Sequence, residues 1–175
     1  SLTVRDIVER IGKRLQLSWL TESDHVDPIL GDFPGAANQA LVGSLNCIHP
    51  NRIQVIGHAE LVYLAGLGQD AYRETLDKLF GDRPAAVLFA DGIDVAQEFL
   101  DGAEHHRTPL LTSPVDDNQL VTNLQYFLTH ALATRTTVHG VFMEVLGMGV
   151  LLTGDAAVGK SELALALISR GHRLV

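Results

Sequence analysis

One stretch of the chain decides the fold that can be expected of it, Val150-Leu151-Leu152-Thr153-Gly154-Asp155-Ala156-Ala157-Val158-Gly159-Lys160-Ser161-Glu162. Residues 154–161 fit the phosphate-binding loop pattern G-x-x-x-x-G-K-[ST]. The apolar run before them predicts a buried strand, and residues 162–170 predict a helix because their apolar side chains recur at helical spacing. Strand, glycine-rich turn and helix is the context in which this pattern forms a phosphate site.

The chemistry of such a loop follows from its backbone. Consecutive N–H groups at the start of a helix form a concave anion receptor, and the helix dipole adds to it. The pattern assigns Lys160 to the β and γ phosphates of a nucleotide and the Ser161 hydroxyl to Mg²⁺. We therefore expect residues 154–161 to bind a nucleotide or phosphate. The alternative is a glycine-rich strand-to-helix turn whose lysine is only solvated.

Composition narrows the classes of function. Of the 175 residues 46% are hydrophobic, which is enough for a packed core. The net charge of −8 argues against a nucleic-acid partner. A single cysteine, Cys47, cannot form an internal disulfide and favours a reducing compartment. No apolar run approaches the roughly 20 residues that cross a bilayer, and residues 1–15 are too charged for a signal peptide. We expect a cytoplasmic protein with no membrane partner.

Residues 1–133 show the alternation of strands and helices that predicts an α/β domain with a parallel or mixed sheet. Ser113, Pro114 and Asp116 predict the cap of a long helix, and Gly81 and Gly102 predict helix ends. The predicted helices are 4–15, 36–42, 59–65, 72–80, 94–100 and the one that follows Ser113, and the predicted strands are 17–20, 52–57, 85–89 and 109–111.

Residues 134–175 predict a second, incomplete domain. A short link at 134–137 precedes strands at 138–146 and 148–153, which Gly147 joins, and residues 173–175 have the composition of a further strand. The segment is too short for an independent α/β core. We therefore expect the chain to be a fragment, or the ordered part, of a longer protein.

Several motifs resemble the bifunctional HPr kinase/phosphorylase family of bacteria. In the second half they are Val138-His139-Gly140-Val141, Gly147-Met148-Gly149-Val150-Leu151-Leu152-Thr153-Gly154-Asp155, Gly159-Lys160-Ser161-Glu162 and Ser169-Arg170-Gly171-His172-Arg173-Leu174-Val175. Upstream, the motif Arg52-Ile53-Gln54-Val55-Ile56-Gly57, followed by Glu60, resembles the N-terminal domain of the same family.

The resemblance implies phosphorylation of a regulatory serine on HPr, the phosphocarrier of the sugar phosphotransferase system, with ATP and Mg²⁺. It also implies the reverse process, in which inorganic phosphate attacks phosphoserine and pyrophosphate leaves. By position, the cofactor loop is Gly154, Asp155, Ala156, Ala157, Val158, Gly159, Lys160 and Ser161, the metal ligand is Ser161, and the catalytic positions are His139 and Lys160. The implied folds are a Mur-ligase-like N-terminal domain and the beginning of a kinase domain resembling phosphoenolpyruvate carboxykinase. Residues 1–133 contain no motif with a chemical signature, so assembly or regulation is the role expected of them.

The resemblance further implies a homo-oligomer, a hexamer, and a general base beyond Val175, so we expect the 175-residue chain alone to be inactive. The family commonly has serine and often glycine where this chain has Ala156 and Ala157. For that reason a non-catalytic regulatory protein that senses nucleotide or phosphate remains the alternative function, and a small-molecule kinase is a third. Without the resemblance, a histidine such as His139 is more often a locally bonded strand residue than a catalyst.

Overall fold

A computed structural model describes residues 2–21, 29, 39–133, 140–155 and 157–174. The chain forms two compact units, Ser1–Ala133 (unit 1) and Thr134–Val175 (unit 2). The helices of unit 1 are α1 (Val4–Ile11), α2 (His58–Ala65), α3 (Gln69–Gly81), α4 (Gln97–His106) and α5 (Asp117–Ala131). Its strands are β1 (Ser18–Trp19), β2 (Val42–Ser44), β3 (Ile53–Ile56), β4 (Ala86–Phe89) and β5 (Leu110–Thr112). Unit 2 contains β6 (Gly140–Val145), β7 (Met148–Thr153), α6 (Lys160–Ser169) and β8 (Arg173–Leu174).

A five-stranded mixed sheet forms the centre of unit 1, which confirms the predicted α/β class. The strand order is β1-β5-β4-β3-β2; β2 to β5 run parallel, and β1 is antiparallel to β5 at the edge. Every residue of β3 and β4 is buried, as expected of central parallel strands that are covered on both faces.

The two faces of this sheet support two apolar clusters. Along β4, Leu88 belongs to the cluster that includes the apolar sides of α1 and α5, whereas Val87 and Phe89 belong to the cluster formed with α3 and α4. This alternation follows from the two-residue period of a strand. The sheet therefore has helices on both faces.

Two details of the predicted helices of unit 1 are wrong. Gly102 does not end a helix but lies inside α4, whose C-cap is Arg107 in the left-handed conformation (φ 57°). The cap of α5 is not Ser113 but Asp116, whose side chain accepts a hydrogen bond from the backbone N–H of Gln119. The Ser113 hydroxyl is buried and donates instead to the Leu15 carbonyl at 2.6 Å.

Strand β2 is missing from the sequence prediction, which placed a short helix at 36–42. Residues 36–38 lie outside the described residues, but Val42 begins a strand that pairs with β3. Buried side chains stabilise this pairing. The side-chain amide of Asn51 donates hydrogen bonds to the Ser44 carbonyl at 2.8 Å and to the side-chain oxygen of Gln54 at 2.9 Å. The pairing of β2 with β3 joins two different segments of the chain, so the apolar pattern of either segment alone does not show it.

Unit 2 is built on a hairpin of β6 and β7. The two strands pair antiparallel from Gly140 opposite Thr153 to Val145 opposite Met148. Leu146 and Gly147 form the turn, with φ values of 52° and 78°, and β8 pairs with the other edge of β6. The predicted strands are confirmed over their described residues except at Leu146, which belongs to the turn; residues 134–139 and Val175 lie outside the described residues. In the part of the chain that the structure describes, no helix has the length and apolar character needed to cross a membrane.

Candidate phosphate-binding site

Two described residues of the loop between β7 and α6 have the left-handed backbone conformation that occurs in anion-binding loops. Gly159 is the N-cap of α6 and has φ 97°, a left-handed value that glycine adopts without steric cost. Ala157 is also left-handed, with φ 66°. Left-handed residues interspersed among right-handed ones turn successive N–H groups toward a common centre, which is how such loops bind anions. Ala156 lies outside the described residues.

Lys160 is the first residue of α6, and its side chain lies across this loop. Its ammonium donates hydrogen bonds to the carbonyl oxygens of Gly154 and Asp155, each at 2.6 Å. Two of the three N–H groups of the ammonium are used in this way. The structure therefore brings the cation to the point where the strand ends and the helix begins.

Ser161 follows as the second residue of α6 and is exposed to solvent. Its hydroxyl is available at the helix start, where an oxygen ligand for a phosphate-bound Mg²⁺ is expected. Glu162 supplies the acidic residue that the first turn of a helix favours. Of the predicted site residues, Lys160, Ser161 and the described part of the loop are together, whereas His139 lies outside the described residues.

Unit 1 contains a group of three carboxylates that sequence reasoning did not assemble. Asp91, Asp116 and Asp117 place one oxygen each within 4.8 Å of one another. The signal for it is that Asp91 comes shortly after β4 and the other two come after β5, and the carboxyl ends of parallel strands share one edge of a sheet. At the start of α5, the Asp116 carboxylate accepts a hydrogen bond from the backbone N–H of Gln119 at 3.1 Å. The Asp117 carboxylate accepts one from the backbone N–H of Asn118 at 2.8 Å. Initiation of α5 therefore accounts for these contacts.

The histidine pair at the end of α4 has a structural explanation as well. The His106 ring nitrogen Nδ1 is 3.0 Å from the Gly102 carbonyl, so this nitrogen is the donor. The same ring stacks on Phe80, with 6.0 Å between the ring centroids. Beside the pair, residues of α3 and α4 line a cavity of about 410 Å³. These two contacts account for the placement of the His106 ring.

The strand, the loop with left-handed residues and the helix that begins with Lys160 and Ser161 have the arrangement that the phosphate-loop pattern predicts. Comparison with known families is more specific. The family model described as HPr Serine kinase N terminus matches residues 2–128, and the one described as HPr Serine kinase C-terminal domain matches residues 130–175. The chain belongs to the HPr serine kinase family, as the motifs suggested.

Curated relatives with the name HPr kinase/phosphorylase agree with this assignment. The protein of Bordetella pertussis is 45% identical over 174 residues, which is 99% of this chain and 56% of the relative. That of Chromobacterium violaceum is 43% identical over 175 residues, 100% of this chain and 55% of the relative. That of Xylella fastidiosa is 38% identical over 177 aligned residues, 100% of this chain and 56% of the relative. The chain thus spans little more than half the length of these relatives.

Proposed function

We propose that the protein containing these residues is an ATP-dependent kinase that phosphorylates a serine of HPr. We also propose that it removes the modification with inorganic phosphate and releases pyrophosphate. The observation that supports this most directly is the loop at the start of α6, with left-handed residues and the Lys160 ammonium across it. The family assignment and the names of the curated relatives supply the carrier HPr.

The residues of this chain have defined tasks in the proposal. The amides of residues 154–161 hold the β and γ phosphates, Lys160 neutralises charge on the transferring group, and the Ser161 hydroxyl is a ligand of Mg²⁺. ATP supplies the phosphoryl group. The serine oxygen forms a bond to the γ phosphorus while the bond from that phosphorus to ADP breaks. His139 stabilises charge beside the reacting phosphate. A carboxylate outside these residues takes the serine proton.

Placement of charge is the main contribution a protein makes to phosphoryl transfer. A positive charge about 4 Å from a phosphate charge is worth about 4 kcal/mol near a protein surface. Loss of the Lys160 ammonium should therefore lower both activities by about a thousandfold. Both directions suffer because both place a phosphate in the same loop.

The test uses the full-length protein, HPr and ATP labelled on the γ phosphate. Lys160→Ala is compared with Lys78→Ala, which removes the same charge from α3 in unit 1, where Lys78 pairs with Asp82. We expect the first variant to lose label transfer and pyrophosphate release, and the control to keep both. Wild-type transfer by Lys160→Ala would show that the loop is not the phosphate site.

The same assay separates the two other functions. A regulatory sensor would be stabilised by nucleotide without transferring label to HPr. A small-molecule kinase would consume ATP with a small substrate in the absence of HPr. The family assignment favours the kinase and phosphorylase over both.

We further propose the organisation that the resemblance implies. Residues 1–133 form an N-terminal domain for assembly or regulation, related to Mur ligases, and residues 134–175 begin a kinase domain related to phosphoenolpyruvate carboxykinase. The full protein is proposed to be a cytoplasmic hexamer. Light scattering on the full-length protein tests the assembly, because a hexamer has six times the mass of its subunit.

A further inference from the structure

Ala157 occupies a backbone conformation that alanine does not favour. Its φ is 66°, inside the phosphate loop, and the residue is exposed. An L-residue in this region brings its Cβ close to the following carbonyl oxygen, a cost that glycine avoids. The methyl group of Ala157 is exposed, so it has little packing that could offset that cost. The loop thus contains local strain between Gly154 and the start of α6.

We propose that Ala157 is a positioning residue that sets the affinity of the loop for phosphate. This inference depends on the proposed function of the loop. A phosphate that accepts hydrogen bonds from successive amides holds the loop in the left-handed conformation, whereas an empty loop can leave it. The free-energy cost of holding alanine in this conformation therefore falls on the binding step, and it lowers the affinity of the loop for phosphate.

The position of Ala157 makes this effect local. On one side of it, the carbonyls of Gly154 and Asp155 accept hydrogen bonds from Lys160. On the other side, Gly159 caps α6, and its carbonyl accepts the first helical hydrogen bond, from Leu163 at 3.0 Å. Relief of strain at Ala157 should thus change phosphate binding without changing the contacts of Lys160.

The experiment measures pyrophosphate and orthophosphate binding to the full-length protein by calorimetry. Ala157→Gly is expected to lower the dissociation constant about five- to thirtyfold, the range that corresponds to the usual cost of a left-handed alanine. Ala157→Val is expected to raise it, because a β-branched residue fits this region worse than alanine. Ala166→Gly is the control: it removes the same methyl group from an exposed position inside the right-handed helix α6 and should leave both constants unchanged.

Melting temperatures of the empty proteins distinguish positioning from general stability. Should Ala157→Gly raise the melting temperature and leave the dissociation constants unchanged, the strain is equal in the empty and bound loop, and the inference is overturned. Weaker binding by Ala157→Gly would overturn it too. If Lys160→Ala binds pyrophosphate as tightly as wild type, the proposed function of the loop has failed. Loss of binding by Lys160→Ala with no effect at position 157 refutes this inference alone.

Discussion

Gly102→Ala provides a test in which two opposing effects can be weighed from the structure. Gly102 lies inside α4, where alanine is favoured over glycine by about 0.5–1 kcal/mol. A Cβ at this position would lie 2.5 and 2.6 Å from Cδ2 and Cε2 of Phe80 in α3. Phe80 is only 1% exposed and stacks on His106, so a movement of its ring would disturb these packing contacts.

The cost of the clash should exceed the gain in helix propensity. Overpacking of a core by one carbon typically costs about 1–3 kcal/mol. After the propensity gain is subtracted, we expect Gly102→Ala to lower the free energy of unfolding by about 1–2 kcal/mol. In urea this corresponds to a fall in midpoint of about 0.5–1 M for a domain of this size.

The measurement is equilibrium unfolding in urea, followed by the fluorescence of Trp19, the only tryptophan of the chain, which lies in unit 1 and packs partly buried on its core. Gly81→Ala at the end of α3 is the control, since no described heavy atom lies within 4 Å of a Cβ built there; it should not lower the midpoint. Phe80→Leu combined with Gly102→Ala should recover part of the loss. A Gly102→Ala variant as stable as wild type would refute the packing argument.

Two further predictions concern unit 1. Phe99→Ala should lower the free energy of unfolding by about 3–5 kcal/mol in the same urea assay, because Phe99 is 1% exposed and packs edge-on against Phe89 at 5.1 Å; a loss below 1 kcal/mol would contradict it. Hydrogen bonds from the Thr3 backbone and side chain hold the pKa of Asp6 below its ordinary value of 3.8. Since the folded-state pKa is lowered, this carboxylate stabilises the fold above pH 3.8 and loses its contribution as the pH falls through the folded-state pKa. Asp6→Ala should therefore be less stable than wild type at pH 7, and the difference in urea midpoint should shrink below pH 4; a difference that grows on acidification would reverse the argument.

Elements that depend on local pattern could be predicted from the sequence. The apolar spacing of α3 and α5 and the apolar runs of β3 and β4 identify these elements, because their burial follows their own periodicity. Gly102 could not be assigned correctly, since a glycine near the end of an apolar pattern usually stops a helix. Only the approach of Phe80, which is distant in sequence, explains a glycine inside α4.

The candidate site shows the same division. Its position and the glycine at the start of α6 follow from a contiguous motif, because strand, loop and helix are adjacent in the chain. The sequence pattern does not specify side-chain direction or φ. It therefore could not predict the hydrogen bonds of Lys160 to Gly154 and Asp155 or the left-handed backbone of Ala157.

The antiparallel edge strand of unit 1 has a consequence for the order in which the unit folds. Ser18 in β1 pairs with Thr112 in β5, whereas β2, β3, β4 and β5 each pair with the strand that follows or precedes them in the chain. On the ribosome, the parallel strands can associate as they emerge, but β1 has no partner until β5 has been made. Pairing β1 with β5 closes a longer loop of chain than pairing two consecutive strands does, and it therefore carries a larger entropic cost. Trp19 should therefore reach its native surroundings late in folding, and a nascent chain stalled before residue 110 should leave it exposed to water.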